Sequence, residues 1–141
     1  MLKPSLVIQR IQHLFLFIAV VLNAVFFLSP LFNRALEDPA SWISSGIAAG
    51  IGIASVMSII IIFMFRQRTQ QMVWLRRALL FQILGIGSSI GVLFSMGGFH
   101  INLIDEALSA LLLLVAFLMM ILALIFIRKD EQLVRSMDRL R

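Results

Sequence analysis

Four apolar runs alternate with short polar segments along this chain, and each run is long enough to cross a lipid bilayer. A hydrocarbon core of about 30 Å needs about 20 mostly apolar helical residues. Residues 11–32, 42–65, 78–99 and 107–127 meet that condition without a single Asp, Glu, Lys or Arg. The segments between them, 33–41, 66–77 and 100–106, are short polar connections. The pattern therefore predicts an all-α integral membrane protein, with four transmembrane helices in an antiparallel bundle over residues 1–127. Residues 128–141 form a basic, amphipathic cytoplasmic tail that continues as a short helix.

Composition agrees. Of the 141 residues, 61% are hydrophobic and 13% charged, against roughly half and a quarter in a soluble domain. The net charge of +5 is not a nucleic-acid signal, because the basic residues sit beside apolar runs, where they act as topology signals. There is no cysteine, which removes disulfides, thiolate metal sites and iron–sulfur clusters from consideration.

Lys and Arg in short loops are retained on the cytoplasmic side of a membrane, whereas acids contribute little. Lys3 and Arg10 precede the first run; Arg66, Arg68, Arg76 and Arg77 lie between the second and third; Arg128, Lys129, Arg135, Arg139 and Arg141 follow the fourth. The other face holds Arg34 alone among basic residues, beside Glu37, Asp38, Asp105 and Glu106. Both termini are thus expected in the cytoplasm, which an even number of spans also requires. The first run is too long for a signal peptide and lacks a small-x-small cleavage site after it. Trp74 and Trp42 fall near opposite interfaces, as anchoring indoles do.

Small residues mark the expected packing surfaces, since helices in lipid associate through close backbone approach. Gly46, Gly50, Ala54 and Ser58 repeat every four residues in the second run, with Ser44, Ala48 and Gly52 beside them. Gly87, Gly91 and Ser95 repeat likewise in the third, flanked by Gly85, Ser88 and Ser89. Two readings stay open: an internal hairpin of these two helices, or a surface that docks a partner chain. The fourth run is bulky all round except at Ala116 and Ala123, so it faces lipid or fills a groove on a larger neighbour. Asp105 and Glu106 read as residues of its first turn, where carboxylates favour the positive end of the helix dipole.

Candidate chemistry is sparse. Ionisable groups buried in hydrocarbon mark transport or proton relay, and the four runs have no acid, Lys or Arg. Asn23 and Gln82 are the intramembrane polar residues, expected to hydrogen-bond between helices. His13 and His100 are predicted on opposite membrane faces, which excludes a shared haem or metal site. No catalytic residue, cofactor site or metal site is expected. In the tail, Leu133, Met137 and Leu140 fall at helical spacing with Val134 alongside, Glu131 and Arg135 are placed to pair, and so are Asp138 and Arg141. Such a helix either lies on anionic headgroups or docks a cytoplasmic partner through Arg128, Lys129, Glu131, Leu133, Arg135, Met137, Asp138 and Leu140.

Ile8-Gln9-Arg10-Ile11-Gln12 at the start of the first run and the stretch from Ile127 to Arg141 resemble a small four-helix membrane-protein family of the Bacteroidota, catalogued as domain of unknown function 4293. The resemblance covers nearly the whole chain from about Val7. The first six residues stand outside it as an extension, and His13 replaces a small hydroxyl or similar residue. It implies an inner-membrane location and four spans, and carries over no activity.

The leading expectation is a non-enzymatic accessory or scaffolding subunit of a larger bacterial inner-membrane complex, with respiratory and protein-export assemblies as candidates. Its partners would be membrane lipids and other integral membrane subunits, with nucleic acid disfavoured. A small homo-oligomeric channel or transporter is the first alternative, and a membrane anchor whose tail binds a cytoplasmic partner is the second.

Overall fold

A computed structural model describes residues 4–39, 41–64, 67–97 and 103–138 of the chain, with the side-chain surroundings of 4–10, 137 and 138 outside the description. The helices are α1 (Pro4–Phe26), α2 (Pro30–Glu37), α3 (Ser41–Phe63), α4 (Arg68–Ser95) and α5 (Ile104–Asp138). Among the described residues there is no strand. Helices α3, α4 and α5 are each long and apolar enough to cross a membrane, and α1 with α2 passes the same test as one bent unit. Several apolar helices of this length are what a multi-pass membrane protein carries.

The first apolar run is not one helix. Pro30 has no N–H to give to the carbonyl of Phe26, so α1 cannot continue through it. The chain instead closes α1 with short-range bonds from Phe27, Leu28 and Ser29 back to Ala24, Val25 and Phe26. It then restarts with Pro30 at the first position of α2 and Ser29 as the cap, its Oγ accepting from Phe32 N at 3.4 Å. The two axes differ by 48°. Phe26, Phe27 and Phe32 close ring against ring around the break, with centroids 5.0 to 6.2 Å apart.

Two further boundaries differ from the hydropathy pattern. Residues 68–77, expected as a loop, are the opening turns of α4, because this stretch has neither Gly nor Pro and is rich in helix-forming Gln, Met, Leu and Arg. At its other end α4 stops at Ser95, short of residue 99. There Met96 caps it and Gly97 takes a φ of 114°, a backbone state that favours glycine. The expected helical tail is the end of α5, which runs unbroken to Asp138.

Each long helix buries positions alternately three and four residues apart: Gln12, Leu16, Ala19, Asn23 and Phe26 on α1; Ser44, Ile47, Ile51, Ala54, Ser58 and Ile61 on α3; Gln71, Leu75, Ala78, Gln82, Gly85, Ser89 and Val92 on α4; Leu113, Ala116, Met120, Ala123, Ile127 and Asp130 on α5. This is the 3.5-residue repeat of helices packed side by side at a shallow angle. α5 packs chiefly on α1 and then α4, and α3 chiefly on α4. One apolar cluster gathers around Leu16, Ile61, Leu75 and Ile127, and a second around Phe26, Ile51, Ile86 and Leu113.

Helices α3 and α4 approach backbone to backbone at Gly50 and Gly85. A Cβ on Gly50 would stand 2.8 Å from Gly85 N and 3.0 Å from Phe81 O, and one on Gly85 would stand 2.6 Å from Ile51 Cγ1. Of the expected packing residues, Gly50, Ala54 and Ser58 are buried, whereas Gly46, Gly87, Gly91 and Ser95 are exposed, and a Cβ added to any of these three glycines would meet nothing within 4 Å. The correction has a geometric cause. Steps of four residues advance about 40° around a helix each time, so such a stripe leaves a face that its neighbour covers at steps of three and four.

Gly50→Ala is expected to cost roughly 1–3 kcal/mol, the usual penalty of overpacking, because only backbone can yield there. Gly46→Ala should be neutral to stabilising, by up to about 1 kcal/mol, since its Cβ meets nothing and alanine favours the helix. Thermal unfolding of the detergent-solubilised variants, followed by circular dichroism, checks the contrast; equal midpoints would refute the contact.

Candidate functional site

Between the two apolar clusters lies one polar layer, built from three helices. Asn23 stands between Ala19 and Phe26 on α1, and Gln82 between Ala78 and Gly85 on α4. Their amides pair reciprocally: Asn23 Nδ2 donates to Gln82 Oε1 at 3.0 Å, and Gln82 Nε2 to Asn23 Oδ1 at 2.9 Å. Asn23 Nδ2 also donates to Ser55 Oγ of α3 at 3.0 Å, and that hydroxyl donates to Ile51 O at 2.8 Å. Gln82, expected about one turn inside its span, is at the middle of α4 because that helix starts at Arg68. Hydrocarbon offers buried amides no other partners, so this layer fixes the axial register of α1, α3 and α4. It holds no titratable group and no nucleophile beside a base.

A second polar layer ends the first apolar cluster, one turn past Leu16, Leu75 and Ile127. It comprises Gln12, Gln71 and Asp130, each at most 2% exposed. Gln71 Nε2 donates to Ile61 O at 2.9 Å, satisfying one of the last carbonyls of α3. Arg68 Nε lies 3.1 Å from Asp130 Oδ2 and joins α4 to α5. The guanidinium is not aimed for a hydrogen bond, and Gln12 Oε1, Gln71 Oε1 and both Asp130 oxygens accept none from the described residues. In the sequence Asp130 belongs to the expected cytoplasmic tail of residues 128–141. Its three-and-four spacing after Ala123 and Ile127 was the signal that it faces inward.

The opposite end is held by charge as well. Arg34 of α2 lies 3.8 Å from Glu37 and 3.5 Å from the buried Glu106 of α5. Asp105 and Glu106 do open α5, and Glu106 has this second role of tying down the bent segment. Among the described residues no group of three or more His, Cys, Asp or Glu side chains stands together as metal ligands.

The remaining expected residues fall on the surface. Arg135 Nη2 meets Glu131 Oε1 at 2.7 Å, and Thr69 Oγ1 of α4 donates to the same oxygen at 3.4 Å. Lys129 Nζ stands 5.8 Å from the Phe126 ring centre, which itself stacks on Phe15 of α1. Arg128 and Leu133 are exposed. The surroundings of Met137 and Asp138, and Lys3, Arg66, His100, Arg139, Leu140 and Arg141 altogether, lie outside the described residues, as does the side chain of Arg10. The expected Leu133–Met137–Leu140 stripe and the Asp138–Arg141 pair lie there too. The outward Gly87, Gly91 and Ser95 do form a feature together: with Trp42, Ile83 and Leu84 they line an open groove of about 690 Å³ on the α3–α4 face.

Changing Asn23 to Leu leaves the Gln82 amide buried and unpaired, and changing Gln82 to Leu leaves Asn23 with Ser55 alone, each at an expected cost of about 1–3 kcal/mol. The double Leu variant should cost less than the sum of the singles, a coupling of about 1 kcal/mol. A double-mutant cycle of unfolding free energies measures it, and strict additivity would refute the pairing. Asp130→Ala strands Arg68 and Arg68→Ala strands Asp130. The second is expected to be the worse, with a cost of about 3 kcal/mol or more, since the carboxylate is the more deeply buried partner; equal losses in the same unfolding assay would count against that ranking.

No curated protein and no solved structure matches the chain. The family model that matches covers residues 37–140, so α1 and its Ile8–Gln12 segment stand outside it, short of the coverage expected from about Val7. Helices α3, α4 and α5 lie wholly within it, and the chain belongs to the family described as Domain of unknown function (DUF4293).

Proposed function

We propose that this chain is a non-enzymatic accessory or scaffolding subunit of a larger assembly in the inner membrane of a bacterium, a member of the Bacteroidota. Its four spans form an antiparallel bundle with both termini cytoplasmic. One observation carries the reading. The small residues divide into an inward set, Gly50 and Gly85, that brings α3 and α4 together, and an outward set, Gly87, Gly91 and Ser95, that leaves an uncovered groove on the same helix. An open glycine face is a poor surface to offer lipid tails, since it forgoes dispersion contacts and exposes backbone. A transmembrane helix of another subunit laid along it recovers both.

The same structure weighs against the channel or transporter reading. Its central polar groups are hydrogen-bonded to one another rather than lining a path. The charged groups Arg68, Asp130, Arg34 and Glu106 sit at the ends, where they hold helices together.

Replacing Gly87 and Gly91 by Leu puts bulk into the groove from two positions where an added Cβ meets nothing within 4 Å. Affinity purification of wild type from its own membranes in mild detergent, followed by mass spectrometry, is expected to recover a stoichiometric integral membrane partner. The double Leu variant should lose it while keeping the unfolding midpoint of the wild type. Recovery of the wild-type chain alone and monodisperse would overturn the proposal.

A further inference from the structure

Where α5 leaves its apolar stretch, a pocket of about 310 Å³ opens between it and α4, lined by Met72, Arg76, Arg128, Glu131, Gln132 and Arg135. Helical spacing brings these side chains together. Met72 and Arg76 are one turn apart on α4; Arg128, Gln132 and Arg135 follow at one-turn steps on α5. The ion pair and hydrogen bond across the same helices, Arg68 with Asp130 and Thr69 with Glu131, hold the walls at this separation.

The charges inside are unequally matched. Glu131 engages Arg135, which leaves Arg76 and Arg128 with no ion pair among the described residues. Two guanidiniums face one cavity from two helices, over a floor formed by the half-buried Met72. Each guanidinium offers a planar fork of donors suited to phosphate oxygens. The depth is also specific. Ile127 is the last buried apolar residue of α5 before Arg128, and Trp74 is half-buried one turn from Arg77, so the pocket lies at the level where hydrocarbon gives way to headgroups.

We infer that this pocket binds the headgroup phosphate of an anionic phospholipid from the adjoining leaflet, with Arg76 and Arg128 as the phosphate-binding pair and Glu131 restraining Arg135 at the rim. A basic cleft between spans at this level suits anionic lipid. The single negative charge of the phosphodiester offsets one of the two unpaired charges, its oxygens accept from both guanidiniums, and the acyl chains run down the apolar flank of α4 and α5. Arg77 and Lys129 lie in the same turns but do not line the pocket, which separates a built site from a generally basic surface. The inference rests on the chain spanning a membrane and not on its acting as a docking subunit.

The test uses the full chain in neutral detergent, titrated with phosphatidylglycerol or phosphatidylcholine and read by native mass spectrometry. Wild type is expected to retain phosphatidylglycerol over phosphatidylcholine. The variant Arg76→Gln with Arg128→Gln should lose roughly thirtyfold in that affinity, through its lost charge-assisted hydrogen bonds, and Arg77→Gln with Lys129→Gln clearly less, since those side chains do not line the pocket. Equal losses in the two double variants, or no loss in the first, would overturn the site. Displacement of the lipid by an equal concentration of inorganic phosphate would overturn the lipid assignment in favour of a soluble phosphate. If the first double variant fails to insert, Glu131→Gln decides, since it frees Arg135 and should tighten phosphatidylglycerol binding severalfold; unchanged affinity there would refute the arrangement.

Discussion

The contact of Gly50 with Gly85 sets the geometry of everything around it. Lipid gives two apolar helices little reason to prefer each other, so the association of α3 with α4 has to come from close packing, and close packing here means backbone against backbone. With the two helices that near, Gln82, one turn before Gly85, is placed to meet Asn23 of α1 beside Ser55 of α3. The amide pair in turn fixes how far α1 slides along the others. That register sets Phe15 against Phe126 and brings Gln12 to the level of the second polar layer.

Polar groups are graded by what each level of the structure can satisfy. At the centre there are only neutral amides and hydroxyls, paired among themselves, because a charge there would be costly. One layer further, past Leu16 and Ile127, a full ion pair between Arg68 and Asp130 is tolerated, with Arg68 reaching partly to the surface. Beyond it come the exposed arginines of α4 and α5. The same grading holds at the other end, where Arg34 binds the buried Glu106. The bend between α1 and α2 needs such a clamp, since Pro30 removes the hydrogen bond that would have carried α1 onward.

Hydropathy made the long helices legible, because a run of 20 uncharged apolar residues has few other uses. It misplaced an end where charge and helix coincide: Arg68 to Arg77 is polar and helical at once, and a hydropathy profile cannot tell such turns from a loop. The break at Ser29-Pro30 was written in the sequence as a cap followed by a first-position proline, but the apolar residues on both sides masked it. Asn23 and Gln82 were visible as the polar exceptions in their runs. Their pairing was not, since it depends on the axial register of helices 59 residues apart in sequence.

The small residues show most clearly why the packed face was harder to read than the spans. A four-residue repeat drifts about 120° around the helix between Gly46 and Ser58, so only part of it meets a neighbour that follows a 3.5-residue repeat. The buried positions of α4 keep that repeat from Gln71 through Ala78, Gly85 and Val92, and its glycine is Gly85 rather than Gly87. The drift gives the displaced stripe its significance. The packing of α4 on its neighbours within the chain makes no use of glycines at 87 and 91, where each weakens a helix relative to alanine. Their cost is offset only if something outside the chain approaches that face as closely as α3 approaches Gly85.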